Sequence, residues 1–263
     1  MWQNQGIMRL HGSTLLYRHP NSLSGMAVGT LPFIFYIFPI ANRWQKLFLA
    51  FLLVCALVII IFTGSRTGYV ATLLLALFMG WNALRKNKLK FITAVTLALL
   101  VIPQVVPDEY KERFISIYTM EEAEGASSET RIQILEDAVA IFISHPWGVG
   151  VAAFPAVRAD TFNRTQDTHN LYLELLTNLG ILGAVIFFMF IYKMIKTNYV
   201  TANLCEKNGN YFVAAVARAA IAFLMARIFL GLFGMDTYEI YWWLAAGLTI
   251  SCYYVSRQYD TKR

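Results

Sequence analysis

Arg66, His169 and Arg227 lie within or at the edges of long apolar runs, where an ionisable side chain is costly unless it has a task, and Arg131 lies in a polar stretch between two such runs. Arg66 stands in GSRTG, a glycine-flanked turn between two such runs. The planar fork of a guanidinium there matches phosphate oxygens bidentately. The competing reading is an interfacial arginine reaching for lipid headgroups. Arg131 falls in the first turn of a helical pattern, where a cation opposes the helix dipole. An anionic ligand would remove that conflict, and a plain solvated face accounts for it equally. His169 follows Asp167 at the mouth of another apolar run. Imidazole titrates near neutrality and is the commonest general base, although a mere helix-start histidine is the alternative. Arg227 lies inside a run with Glu174 at similar depth. A structural ion pair between them is the default, and anion binding is the functional role kept for Arg227. The remaining histidines, His11, His19 and His145, sit in polar stretches beside proline or glycine and read as loop residues.

Arginines gathered around a histidine beside lipid suit one chemistry. The guanidiniums hold a lipid-linked phosphate or pyrophosphate and stabilise it as a leaving group. The histidine takes a proton from an acceptor hydroxyl, which attacks the carbon bearing that phosphate. No carboxylate cluster with metal-ligand spacing accompanies them, so neither a metal nor a cofactor is expected. The candidate set is His169 as the base, with Arg66, Arg131 and Arg227 on the phosphates.

The elements that must position these residues are transmembrane helices. Of 263 residues, 57% are hydrophobic and 14% charged, far from the balance of a soluble domain. Apolar runs at 23–40, 47–62, 69–84, 91–106, 171–192, 211–233 and 240–255 predict about seven spans in one membrane domain, an all-α polytopic fold. Between the fourth and fifth lies a polar insertion, 107–170. Within it Ile132, Leu135, Val139 and Phe142 recur at helical spacing, Ser128 reads as an N-cap, and Pro146 with the glycines of HPWGVG stops the helix. Such a helix is expected to lie on the membrane surface, apolar face down. A polar loop is expected over 193–210, and the aromatic cluster 238–243 reads as an interfacial belt. The net charge of +6 fits cytoplasmic loops and headgroups better than nucleic acid, since no basic surface module is present. Cys55, Cys205 and Cys252 fit neither a zinc site nor a disulfide framework.

Lysine and arginine in the short loops set the orientation. RKNKLK, the 193–207 segment, the C-terminal tail, Arg43 and Lys46 share one side, which is expected to be cytoplasmic. The GSRTG turn, the insertion and MDTYE then share the outer face, as does the N-terminus. Because residues 1–20 carry nothing that would export them readily, an odd number of further spans is expected ahead of this sequence; a first span inserting with its N-terminus outward is the alternative.

Several stretches together resemble the O-antigen ligase/polymerase superfamily. They are RL-x-G followed by HPNSLSG, the GSRTG turn, the TRIQ helix ending in HPWGVG, THNLYLELLTNLGILGA, and the closing GMDTYEIYWWLAAGL. The likeness runs through the whole sequence and corresponds to the C-terminal part of a typical member. It implies a metal-independent, inverting glycan transferase of the bacterial inner membrane, with its active face in the periplasm. Its donor would be an undecaprenyl-pyrophosphate-linked O-antigen or related polysaccharide, and its acceptor lipid A–core or another lipid-linked glycan. By position in the motifs, His169 would activate the acceptor, while Arg66 and Arg131 would handle the pyrophosphate. A polymerase of the same superfamily is the nearest alternative. An anion or lipid-linked glycan transporter and a non-catalytic scaffold are the rivals from other classes.

Overall fold

Apolar runs separated by short polar turns fold as helices that run back and forth against one another. The computed structural model describes residues 2–4, 7–13, 19–86, 93, 96, 110, 126–234 and 237–260. Its helices are α1 (Pro20–Ile37, extended by a tighter turn Phe38–Ile40), α2 (Arg43–Phe62), α3 (Arg66–Lys86), α4 (Ala126–Ser144), α5 (Phe154–Phe162), α6 (Leu171–Glu174), α7 (Gly180–Lys207), α8 (Tyr211–Leu230) and α9 (Ile240–Asp260). A short antiparallel hairpin, β1 (Trp2–Asn4) and β2 (Ile7–Arg9), precedes them, with Trp2 opposite Arg9.

Local chemistry explains where the helices begin. Pro20 opens α1, where its missing N–H is no loss. Asn42 and Gln45 form a reciprocal capping box at α2: the Asn42 side chain accepts from Gln45 N at 2.9 Å and Gln45 Oε1 accepts from Asn42 N at 2.9 Å. Ser65 Oγ accepts from Gly68 N at 3.2 Å and caps α3. Among the described residues four helical stretches, Pro20–Ile40, Arg43–Phe62, Leu171–Lys207 and Tyr211–Leu230, are long and apolar enough to cross a membrane, and Arg66–Gly80 is a shorter apolar helix. The chain is therefore an all-α polytopic membrane protein. Six of the expected spans coincide with helices, and the one over 91–106 lies outside the described residues apart from Thr93 and Thr96.

The bundle is organised around α8. Its alanines at 222 and 226 pack with Val28 and Leu31 of α1, Ile60 of α2, and Ala71 and Leu75 of α3. Phe223 and Leu224 instead join Leu171, Leu175, Ile191 and Trp242 in a second core. Small side chains let helix backbones approach closely where lipid supplies no hydrophobic drive between them. By contrast α2 leaves Trp44, Leu47, Phe48 and Phe51 exposed, as a lipid-facing helix would.

Several sequence expectations are corrected. The expected polar loop 193–210 is mostly helix: α7 continues to Lys207, and only Asn208–Asn210 turn the chain. The irregularity lies instead near the start of this segment, where Leu175–Leu179 form wider turns between α6 and α7. In the insertion the helix begins at Ala126, before Ser128, so Arg131 is its sixth residue and clear of the first turn. Its buried face is Ile134, Ala138 and Ile141 against Phe154 of α5, a helix that periodicity did not reveal. Ile132, Leu135 and Val139 are exposed. The aromatic cluster near α9 divides, with Tyr238 and Trp243 exposed while Tyr241 and Trp242 are core. Arg218 pairs with Glu206 across the α7–α8 turn.

Candidate functional site

One end of the bundle collects the start of α1, the α2–α3 turn, the start of α6 and the end of α8. Backbone and side-chain bonds tie these together over long sequence separations. Leu10 N donates to Phe62 O at 2.8 Å, and the buried Arg9 donates through Nε to Thr63 O at 2.6 Å and through Nη2 to Asn21 Oδ1 at 2.8 Å. Leu171 N donates to Gly231 O at 2.7 Å, and Asn170 Nδ2 to Leu232 O at 3.1 Å. Arg66, the first residue of α3, stands three positions beyond the carbonyl that Arg9 holds. The N-terminal ends of α1 and α3 thus meet here, and their dipoles favour an anion.

His169 lies at this junction. Asn170 caps α6, its Oδ1 accepting from Tyr172 N at 2.9 Å and Leu173 N at 3.1 Å. Asp167 Oδ1 accepts from Thr168 N at 2.7 Å. Between these two anchored residues His169 adopts φ 46°, a left-handed conformation uncommon outside glycine. Held strain of this kind is a recognised mark of functional positions. His169 is exposed to solvent on one side, yet desolvation by the protein packed around it lowers its pKa below its ordinary 6.5; the nearby Asp167 carboxylate raises it and the Arg131 guanidinium lowers it. The net direction favours neutral imidazole, the form that accepts a proton.

A second histidine lies within electrostatic reach of the first. His19 is the N-cap of α1, its Nδ1 accepting from Asn21 N at 3.2 Å, which leaves the proton of the neutral ring on Nε2. Its pKa is lowered by burial, then by Arg9 and by His169, so the two imidazoles and Arg9 lie within electrostatic reach of one another. The expectation that His19 is a plain loop residue is corrected on this point. The rule that singled out His169, an ionisable group at the mouth of a span, applies equally to His19 before Pro20. Arg9 gave no such signal beyond its place in RL-x-G.

The insertion is docked onto the irregular start of the α6–α7 segment. Wider turns at Leu175–Leu179 free two carbonyls, and the HPWGVG turn supplies their donors: Val149 N to Thr177 O at 2.8 Å and Gly150 N to Asn178 O at 3.0 Å. Ile181 N returns a bond to Pro146 O at 3.0 Å. Asn178 Oδ1 also accepts from Phe154 N at 3.0 Å, tying in α5. The result holds α4, and with it Arg131, against the helix that begins beside His169.

The expected site residues therefore divide. His169 and Arg131 are brought together, and Arg66 starts α3 at the same end. Arg227 lies deeper and is 2% exposed. Its Nη2 donates to Gly25 O at 3.1 Å, and its guanidinium sits 3.6 Å from the Tyr241 ring centroid. Stacking on a desolvated aromatic ring stabilises such a cation by about 2 kcal/mol. Glu174, expected as its partner, accepts from Thr237 Oγ1 at 2.7 Å and Thr237 N at 3.3 Å, tying α6 to the approach to α9.

Compared with known protein families, residues 22–188 match the model described as O-antigen ligase. The match spans the start of α1, the α2–α3 turn, the insertion and the His169 motif. A comparison with curated proteins gave no match.

Proposed function

Because this chain belongs to the O-antigen ligase family, whose chemistry is glycan transfer of the ligase or polymerase type, we propose that it moves a glycan from an undecaprenyl-pyrophosphate carrier onto an acceptor hydroxyl at the periplasmic face of the bacterial inner membrane. The observation that carries this reading is the placing of a conformationally constrained His169, with Arg131 in electrostatic reach, at the end where α1 and α3 point their N-termini.

In this scheme the donor's pyrophosphate lies against Arg131 and Arg66, assisted by the positive ends of α1 and α3. His169 takes the proton from the acceptor hydroxyl as its oxygen attacks the anomeric carbon. The carbon–oxygen bond to the pyrophosphate breaks on the opposite side, which inverts the anomeric configuration. Charge developing on the leaving group is met by the guanidiniums, so the step needs no metal. Asp167 supports the positive charge that His169 acquires. Arg227 enters one layer deeper: holding Gly25 O from a stacked position under Tyr241, it keeps the start of α1 in place.

The acceptor we favour is lipid A–core, which makes the protein a ligase; a polymerase elongating lipid-linked glycan is the alternative. A transporter would be expected to carry charge and broken helices near the midplane. Here the break at Leu175–Leu179 begins four residues into its span, close to His169. The deciding assay offers purified protein an undecaprenyl-pyrophosphate oligosaccharide with and without lipid A–core. Product that requires lipid A–core supports the ligase; lengthening lipid-linked glycans without it establish the polymerase. No transfer in either arm, with the protein intact, would count against both.

A further inference from the structure

The insertion contains a buried ion cluster that the reaction scheme does not use. Asp137 of α4, 5% exposed, faces Arg158 of α5, which is fully buried. Arg158 Nε donates to Asp137 Oδ2 at 2.8 Å, while its Nη1 donates to the main-chain carbonyl of Gln166 at 2.9 Å and contacts Gln166 Oε1 at 3.4 Å. Arg164 Nη1 lies 3.0 Å from each Asp137 oxygen. One carboxylate thus joins three pieces of chain: α4, which carries Arg131; α5; and the irregular segment 163–170, which contains His169.

Burying the Arg158 cation with the Asp137 carboxylate, while Arg164 stays partly exposed beside them, is a poor way to gain stability alone, since desolvation offsets most of the attraction. What such a cluster does supply is a fixed geometry. Arg131 and Asp137 are six residues apart on one helix, about 9 Å along its axis. Gln166 precedes His169 by three residues, in a stretch with no helix or strand to hold it. The fork of Arg158 reaches both at once, which a lysine amine cannot reproduce.

We propose that Asp137 and Arg158 are positioning residues that hold Arg131 and His169 at their working separation. The inference rests on the function proposed above for those two residues, yet it can be tested without turnover. The charged and titratable groups acting on His169 are Asp167 beside it, Arg131 from α4 and His19 from the start of α1, with Arg9 behind His19. Asp137 is not among the groups that perturb His169. Deleting its negative charge would, by direct electrostatics, move the His169 titration downward if at all. Release of α4 would instead withdraw Arg131, which moves it upward. The two outcomes have opposite sign.

The experiment follows imidazole carbon-13 resonances of histidine-labelled protein in lipid nanodiscs, with His169 assigned by its loss in His169→Ala. In Asp137→Asn the His169 midpoint is expected to rise and its resonance to broaden, and Asp137→Glu to restore both in part. The His11 resonance and the far-ultraviolet circular dichroism report that the bundle is intact. If Asp137→Asn does not fold, Arg158→Lys takes its place: it conserves charge, so any rise in the midpoint comes from geometry. A His169 midpoint that is unchanged or lowered in the folded variant overturns the proposal. Failure of glycan transfer by the unaltered protein would sink the proposed function and leave this test standing.

Discussion

Replacing Gly148 with alanine strikes the joint between the insertion and the span that begins beside His169. Gly148 has φ 90°, and a Cβ there would lie 2.5 Å from Asn178 O and 2.7 Å from Gly180 N. Those neighbours are backbone and cannot rotate away. The opposing glycine is equally constrained, since a Cβ on Gly180 would lie 2.3 Å from the Trp147 carbonyl carbon. Relief requires the two segments to separate by about 1 Å, enough to break hydrogen bonds that begin near 2.9 Å. Three backbone–backbone hydrogen bonds cross the joint, from Val149, Gly150 and Ile181 N. Losing them costs about 3 kcal/mol, and forcing alanine into a left-handed conformation adds about 1–2 kcal/mol. Local destabilisation of about 4–5 kcal/mol follows, on the scale at which a docked segment opens. Native-state proteolysis in detergent is the assay: the variant's insertion should be cleaved much faster than that of the unaltered protein, while the spans stay protected. Cleavage at the unaltered rate, or equal loss of protection throughout the spans, would refute the reasoning.

Other consequences follow from the same geometry. His169→Ala should abolish transfer while membrane insertion and thermal unfolding stay unchanged; transfer retained by that variant would remove the proposed base. With neutral His169 as the proposed base and its pKa lowered from 6.5, transfer should hold through neutral pH and fall only as pH drops through that lowered value, as a pH–rate profile will register. Arg66→Gln should weaken donor use more than acceptor use, seen as a raised donor KM, since its expected contact is with pyrophosphate. Arg227→Lys keeps the charge but loses the planar stack on Tyr241 and should lower stability by about 2 kcal/mol, measurable by unfolding in detergent.

Whatever depends on neighbours along the chain was legible in the sequence. Apolar runs marked α1, α2, α3 and α7 to α9, because a helix crossing lipid must satisfy its backbone internally and bury no charge. The GSRTG turn, the stop at HPWGVG and the placing of His169 before a span followed from glycine, proline and ionisable residues at recognisable points. Even Asn170, the actual cap of α6, belongs to the motif that drew attention to His169. Misjudged extents had a local cause as well: 193–207 is polar enough to resemble a loop, yet helix continues there because Asn198 and Thr201 are buried and Asn198 Nδ2 bonds Thr249 Oγ1 at 2.7 Å on α9.

Only the tertiary structure decided which distant residues meet. Arg9 reaches a carbonyl 54 residues away and Arg227 one 202 residues away, and no periodicity encodes either. Arg227 stood in the sequence as a structural charge by default with an anion-binding role kept beside it, and composition cannot say that it holds Gly25 O and lies under Tyr241. His19 joined His169 only through packing of the start of α1 beside the start of α6, and Asp137 met Arg158 only because α5 folds back onto α4. The local code specifies helices and turns by hydrogen-bond satisfaction and side-chain shape. The partners of a buried charge are chosen by the whole packed arrangement, where an unpaired group costs more than any local preference supplies.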